Sequence, residues 1–239
     1  MSLNLTILLF LFLGGTIIGS FLNVLIHRLP RKKSILWPPS SCPQCRHRLH
    51  WFDLIPIVSY LWLKGNCRYC QRPISRLYPL VEFLTGLATI IWALRFGLFP
   101  SELWKLVLLY GLIAISGIDL RFKIIPNKLT YPLMVAGLIY RWTQGELRLA
   151  LSGGIIGGSI LLLVKLLYPK GMGMGDVKLL TLLGVLLGWK GVLHALFLAS
   201  LSGMLMIFPL LLSGKVHRQE PIPFAPFLAL GAVIVIFYF

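Results

Sequence analysis

The chain has 239 residues, 57% of them hydrophobic, and its mean hydropathy is +0.85. It carries 23 Lys and Arg against 7 Asp and Glu, which gives a formal net charge of +16. This composition excludes an ordinary soluble domain and is typical of an integral membrane protein. Basic loops beside anionic lipid headgroups account for the positive charge, so we predict a lipid bilayer as partner and no nucleic acid.

Long apolar runs recur from the first residues to the last, and a spanning helix needs about 20 such residues. We predict an all-α polytopic membrane protein with about eight transmembrane helices, at residues 5–26, 79–96, 102–119, 129–142, 149–168, 177–190, 191–212 and 222–239. The fourth and sixth runs are short, so seven spans is the alternative. The first run has no basic region before it, which favours a retained anchor over a cleaved signal peptide.

Basic residues concentrate directly after the first span, within residues 27–78. By the positive-inside rule this loop faces the cytosol and the amino terminus faces outside. The loop is rich in Pro, Arg and Cys and is too broken by turns to cross a membrane. We therefore divide the chain into a first transmembrane helix (1–26), a small cytoplasmic domain (27–78) and a membrane-embedded helical bundle (79–239).

All four cysteines lie in the cytoplasmic domain, as two C-x2-C pairs: Cys42 with Cys45, and Cys67 with Cys70. Two such pairs separated by 21 residues (46–66) match the spacing of a zinc ribbon. Four thiolates leave no open position for substrate, so the predicted zinc is structural. Two disulfides are an alternative that a cytosolic location disfavours. A redox-active pair is a further alternative, weakened by the absence of a thioredoxin-like βαβ pattern.

Two carboxylates, Asp119 and Asp176, lie at the ends of apolar runs beside backbone breakers. A carboxylate at the bilayer centre costs roughly 2.5–3.5 kcal/mol on insertion scales, so such acids indicate function. Glycines at 173 and 175 lead directly into Asp176, which we predict in the first turn of the helix that this loop opens, and we predict that the loop allows a close approach of substrate. Both acids are predicted at the same depth on the cytosolic side, where they could share a proton and activate water. The alternative is two unrelated interfacial acids, solvated or paired with Arg121 or Lys178.

Seven segments, in order, are similar to those of one family: GSFLNVLIHRLP (19–30), SCPQC (41–45), DLIPIVSYLWLKGNCRYC (53–70), ISRLYPLVE (74–82), IDLRFKIIPNKLT (118–130), GMGMGDVKLL (171–180) and IPFAPFLALGA (222–232). With these the chain resembles the type IV prepilin peptidases, GxGD-type intramembrane aspartic proteases that are also N-methyltransferases. Ala225 departs from the pattern, because the family's last segment resembles PFGPFLA. The exchange is between two small residues.

The resemblance implies an enzyme of the bacterial cytoplasmic (inner) membrane that serves type IV pili or type II secretion. It would cut the leader from prepilins or pseudopilins on the cytosolic side and methylate the new amino terminus with S-adenosylmethionine. Carried over by motif, Asp119 and Asp176 are catalytic and the four cysteines bind zinc. We predict no residue set for the methyl donor; Glu82 is a candidate contact, and pairing with Arg76 is its alternative. Asn23 and Asp53 have no predicted role.

Three other functions fit parts of the pattern. A leader peptidase without methyl transfer keeps every motif above. A proton- or cation-handling transporter would also use intramembrane acids, although both acids are predicted at one face instead of along a path through the midplane. A non-catalytic zinc-ribbon scaffold would not depend on the two aspartates.

Overall fold

The computed structural model describes residues 4–169, 171–213 and 222–238, and these are mostly helical. The helices are α1 (Leu5–Arg28), α2 (Val58–Trp62), α3 (Leu77–Phe96), α4 (Leu103–Phe122), α5 (Asn127–Thr143), α6 (Leu147–Leu167), α7 (Met174–Leu212) and α8 (Ala225–Tyr238). Short 3-10 turns at Trp51–Leu54 and Pro100–Glu102 lie before α2 and α4. Within the described ranges, β-structure is limited to two isolated bridges, so the all-α prediction is confirmed.

Among the described residues, five helical segments are long and apolar enough to cross a membrane: Leu5–Arg28, Leu77–Phe96, Pro100–Phe122, Leu147–Leu167 and Met174–Pro209. The predicted count of about eight is therefore not confirmed. Helix α5 has 17 residues and α8 has 14, while the predicted spans at 177–190 and 191–212 both fall within α7. An apolar run becomes helical in lipid because its backbone groups must bond to one another, and this holds at any length. The apolar runs therefore predicted where helices form, but not how many of those helices are long enough to cross a membrane.

Helix α7 contains a sharp bend at Gly188, where φ is 73° and ψ is 177°. This conformation is open to glycine and strained for any residue with a Cβ atom. A Cβ atom added here would also lie 2.8 Å from Cγ of Leu149 on α6. The bend divides the 39 residues of α7 into two helical stretches on either side of Gly188.

The chain forms two compact units, and the first comprises Met1–Gly117. Its membrane part is built on α1 and α3, which approach closely along the glycines of α1. A Cβ atom on Gly19 would lie 2.6 Å from the Cα atom of Glu82, so the two backbones are nearly in contact. The Asn23 amide donates a hydrogen bond to the Tyr78 carbonyl at 3.0 Å, which ties the end of α1 to the start of α3. Asn23, which had no predicted role, is therefore a packing residue.

The second unit comprises Ile118–Phe239 and is organised around α7. The backbones of α6 and α7 touch at Gly153 and Gly184, where any side chain would overlap a carbonyl of the other helix. Small residues allow such close approach between membrane helices, where packing rather than water exclusion drives association. Four leucines near the start of α7 are fully buried: Leu179, Leu180, Leu182 and Leu183. This packing fixes the first turn of α7, which carries Asp176.

Candidate active site and metal centre

The four cysteines converge on one point between α1 and α3. Their sulfur atoms all lie within 4.8 Å of one another, and Sγ of Cys42 is 3.9 Å from Sγ of Cys70. Zinc–sulfur bonds of about 2.3 Å in a tetrahedron place the sulfurs about 3.8 Å apart. The thiols are free and not paired as disulfides. The cluster therefore has the donor type, number and spacing that a structural zinc ion requires.

The two knuckles that carry these thiols have the same backbone fold. In the first, the Cys42 N–H donates to the His47 carbonyl and the Arg46 N–H donates to the Cys42 carbonyl, both at 2.9 Å. In the second, Cys67 and Gln71 repeat these two bonds at the same length. Arg46 and Gln71, each directly after the second cysteine, adopt left-handed φ values of 62° and 56°. This internal similarity was not predicted, although the aligned C-x2-C pairs were its signal.

Because the four thiols lie so close together, the pKa of each depends on its neighbours and on the nearby backbone N–H groups. Burial raises the pKa of Cys42, but backbone N–H groups of Cys45 and Gln44 outweigh burial and lower it to about 7. The His47 N–H lowers the pKa of Cys45, yet burial and the sulfurs of Cys42 and Cys70 raise it to about 11. A bound cation would relieve this concentration of charge, because it stabilises all four thiolates at once.

Asp53 links the second knuckle to the turn that precedes α2. Its carboxylate accepts hydrogen bonds from Arg68 and from the Tyr69 hydroxyl, each at 2.9 Å, and from the His50 N–H at 3.2 Å. Burial raises the pKa of Asp53, but these donors outweigh burial and hold it below its usual range. The Tyr69 ring stacks on His47 of the first knuckle with centroids 3.6 Å apart. Asp53, which had no predicted role, thus braces the cysteine-bearing domain.

Asp119 lies near the end of α4 and is 5% exposed. Its Oδ2 atom accepts a buried hydrogen bond of 3.0 Å from the backbone N–H of Ala225, the first residue of α8. A helix amino terminus carries a partial positive charge, so this contact favours a carboxylate. This partner was not predicted, because 106 residues separate the two positions along the chain.

Asp176 lies in the first turn of α7, as predicted. Its Oδ2 atom accepts the N–H of Gly173 at 3.2 Å, an arrangement that closes the first turn of the helix. The described geometry relates Asp176 to the end of α4 through the loop after Asp119, where Ile125 lies against Gly175. Asp176 and Asp119 are thus near enough for their charges to act on each other, and the charge of Lys165 acts on Asp176 as well.

Hydrogen bonds and close packing with other parts of the second unit stabilise the loop and the first helical turn around Asp176. Lys165 donates to the Met172 carbonyl at 3.0 Å, and Lys178 donates to the Asn127 side chain at 2.9 Å. A Cβ atom on Gly175 would lie 2.8 Å from Cβ of Ile125, in the loop after Asp119. Gly175 thus has a packing reason of its own, beside the predicted approach of substrate. Lys178 bonds to Asn127, so the alternative in which it pairs with Asp176 has no support here.

Glu82 is 8% exposed in the first unit, and its carboxylate accepts the Ile57 N–H at 2.7 Å. The Ser20 side chain also hydrogen-bonds to it. These contacts give Glu82 a structural role between α3 and the segment before α2. The pairing with Arg76 considered as its alternative does not appear among the ion pairs of the described residues.

Two family models match consecutive parts of this chain. Residues 13–96 match the Bacterial Peptidase A24 N-terminal domain, and residues 106–208 match the Type IV leader peptidase family. The four cysteines fall in the first match and both aspartates in the second.

Several curated relatives share the name prepilin leader peptidase/N-methyltransferase. The protein from Aeromonas hydrophila is 38% identical over 95% of this chain and 89% of its own length. The protein from Burkholderia pseudomallei (strain 1026b) is 35% identical over 94% of this chain and 83% of its own, and that from Xanthomonas campestris is 37% identical over 94% and 88%. No solved structure matches the chain.

Proposed function

Because this chain belongs to the type IV leader peptidase family, we propose that it cleaves the leader peptide of prepilins or pseudopilins with Asp119 and Asp176. The observation that carries the assignment of these residues is their pairing. In a chain with only 7 acidic residues, one lies near the end of α4 and one in the first turn of α7, and the loop after Asp119 packs against that turn, where a Cβ atom on Gly175 would lie 2.8 Å from Cβ of Ile125. Each also accepts a backbone N–H, from Ala225 and Gly173 respectively.

The pair supplies both halves of an acid–base mechanism. Two neighbouring carboxylates in low-dielectric surroundings share one proton, because both cannot be ionised at short range. The ionised partner takes a proton from water, and the protonated partner donates its proton to the scissile carbonyl oxygen. The resulting tetrahedral intermediate then expels the new amine. The amine takes up the proton that the first carboxylate had removed from water, and a hydroxyl of the intermediate returns a proton to the second carboxylate. We assign the Oδ2 atoms to the backbone donors and the Oδ1 atoms to water and substrate.

We place this reaction at the cytosolic membrane face of a multi-pass inner-membrane protein. Arg121, Lys123 and Lys128 follow Asp119, and Lys178 follows Asp176, which supports a cytosolic location by the positive-inside rule. A prepilin helix in the bilayer with its leader in the cytosol would bring the scissile bond to this depth. We also retain a count of eight crossings, with the bend at Gly188 separating two of them. The amino terminus lies outside, because the basic loop after the first span faces the cytosol.

The cysteine-bearing domain, residues 27–78, would hold one structural zinc ion on Cys42, Cys45, Cys67 and Cys70. The fit of the four sulfurs to a tetrahedron supports this assignment. With all positions filled by thiolates, the metal contributes folding energy and no reaction step.

Methyl transfer is the second proposed activity, and the relatives' shared name supports it. When bound, S-adenosylmethionine would supply the methyl group to the amine that cleavage exposes. A leader peptidase without methyl transfer remains the alternative, and one assay distinguishes the two.

The purified protein, in lipid, is incubated with a prepilin and methyl-labelled S-adenosylmethionine. We expect a shortened and labelled product, because cleavage must expose the amine before it can be methylated. A shortened but unlabelled product would establish the leader peptidase alone. A prepilin left intact by folded protein would contradict the assignment, and ion flux in proteoliposomes would then test the transporter alternative.

The Ala225 N–H gives a prediction specific to this fold. Replacing Ala225 by lactic acid changes one amide to an ester, which removes the donor to Asp119 and weakens the Phe224 carbonyl as an acceptor for Leu228. A hydrogen bond to a charged group contributes about 1.5–3 kcal/mol, so we expect kcat to fall about 10- to 100-fold. The expected change is in kcat and not in KM, because the donor orients the catalytic carboxylate and does not contact the leader.

The matched control is the ester at Leu228, whose N–H donates to the Phe224 carbonyl at 3.1 Å in the same helical turn. It removes an ordinary helix hydrogen bond and leaves Asp119 untouched. If the two esters reduce kcat equally, α8 supports the fold and does not position Asp119.

A further inference from the structure

Residues 54–62, which follow the first knuckle, expose an apolar surface that the protein does not cover. In α2, Val58, Leu61 and Trp62 lie on one face at helical spacing and are 55%, 68% and 80% exposed. Leu54 and Ile55, just before, are 40% and 39% exposed. We call residues 54–62 the interfacial segment. A domain in water would bury such a face, because contiguous exposed apolar side chains mark an interaction surface.

One hydrogen bond fixes the depth of this segment. The Ile57 N–H, directly before α2, donates to the Glu82 carboxylate at 2.7 Å. Glu82 lies five residues after Leu77, where the spanning helix α3 begins. At 1.5 Å per residue, the contact lies about 7.5 Å along that helix. The start of α2 is therefore held beside a transmembrane helix, beyond its first turn, and not out in the cytosolic solution.

The composition of the segment also matches a membrane surface. It ends on Trp62, an amphipathic ring of the kind enriched at headgroup level, and contains no acidic residue. Lys64 follows it, Lys32 and Lys33 follow α1, and Arg76 precedes α3; all four are exposed. Basic residues this close to the surface are attracted to anionic lipids.

We propose that the interfacial segment docks on the cytosolic leaflet, with Val58, Leu61 and Trp62 inserted among anionic lipids at headgroup depth. Lipid is the occupant of this surface because the two flanking helices, α1 and α3, are membrane spans. The hydrogen bond from Ile57 to Glu82 places the segment at the membrane depth of α3. The cysteine-bearing domain is thereby attached to the bilayer at three places: through α1, through α3 and through the interfacial segment.

Photocrosslinking in the full-length, zinc-bound protein tests the proposal. Benzoylphenylalanine replaces Leu61 or Trp62 on the exposed face, and Tyr60 on the opposite face, where the ring packs on Gly65. The protein is placed in nanodiscs of phosphatidylcholine, with or without phosphatidylglycerol, and irradiated. We expect lipid adducts at 61 and 62 at least about fivefold above those at 60, as for an interfacial amphipathic segment. The yields should rise with phosphatidylglycerol.

Three further variants make the result decisive. Benzoylphenylalanine at Phe197, a 66% exposed position on the spanning helix α7, must give lipid adducts and calibrates the chemistry. Glu82→Leu removes the acceptor for Ile57 and should lower the lipid adducts at 61 several-fold, whereas Glu82→Gln keeps an acceptor and should preserve them. Absence of lipid adducts at 61 and 62, or crosslinks there to a prepilin or a second copy, would overturn the proposal. Equal yields with and without phosphatidylglycerol would overturn its anionic preference.

Discussion

Asp119→Asn and Asp176→Asn should each abolish prepilin cleavage, with kcat/KM reduced by at least about 10³-fold. Asparagine has the shape of aspartate and can still accept the backbone N–H at either position. It cannot take a proton from water or hold one for the scissile carbonyl. Because the two carboxylates act as one unit, the double variant should be no worse than either single one. Cleavage is measured with purified prepilin and protein of confirmed fold.

The matched control is Glu102→Gln, which removes an acid beside the other end of α4. Glu102 pairs with Lys105 at 2.6 Å and is partly exposed, and such a pair contributes about 0–1 kcal/mol. Its loss should leave cleavage nearly unchanged. If either asparagine variant kept a tenth or more of the wild-type rate, or if Glu102→Gln were as damaging, the assignment of the pair would be wrong.

Removal of zinc should unfold the cysteine-bearing domain and leave the spanning helices folded. Structural zinc contributes on the order of 10–16 kcal/mol in small domains, more than a domain of this size holds from packing alone. The double variant Cys42→Ser, Cys67→Ser removes the two buried sulfurs, which are 5% and 3% exposed. We expect it to lose the metal, and amide exchange within residues 29–76 to accelerate while α6 and α7 stay protected.

Metal analysis of the wild-type protein should give one zinc per chain, and Ser41→Ala, beside Cys42, should keep it. Thiol labelling separates zinc from disulfides. Metal-bound thiolates become reactive after chelation, whereas disulfide sulfurs become reactive only after reduction. A wild-type protein without zinc, whose thiols appear only on reduction, would contradict the metal site.

The sequence predicted those features that are set by chemistry at short range. Spacing alone indicated that Cys42, Cys45, Cys67 and Cys70 could share one metal, because each C-x2-C turn aims two sulfurs at one point. The helices followed from the apolar runs, since a backbone in lipid has no other way to satisfy its polar groups. Asp176 was placed in the first turn of its helix because glycines precede it.

Features set by packing between distant segments were not predictable. The Ala225 N–H contacts Asp119 only because the start of α8 lies beside the end of α4. The Ile57 N–H contacts the Glu82 carboxylate from a turn in which Ile57 itself has a positive φ. The count of eight spans was not confirmed because hydropathy does not determine helix length: α5 has 17 residues, α8 has 14, and two predicted spans fall within α7. Left-handed Arg46 and Gln71 were missed because neither residue type favours that conformation on its own.

The hydrogen bond between α8 and Asp119 has a consequence for biosynthesis. Asp119 enters the membrane long before Ala225 is translated, so the nascent chain carries its acids without the donor that orients the first of them. Without this donor the protease would cleave about 10- to 100-fold more slowly until α8 has inserted and docked. A ribosome-bound intermediate would therefore cut few of the newly made membrane proteins with which it shares the translocation machinery.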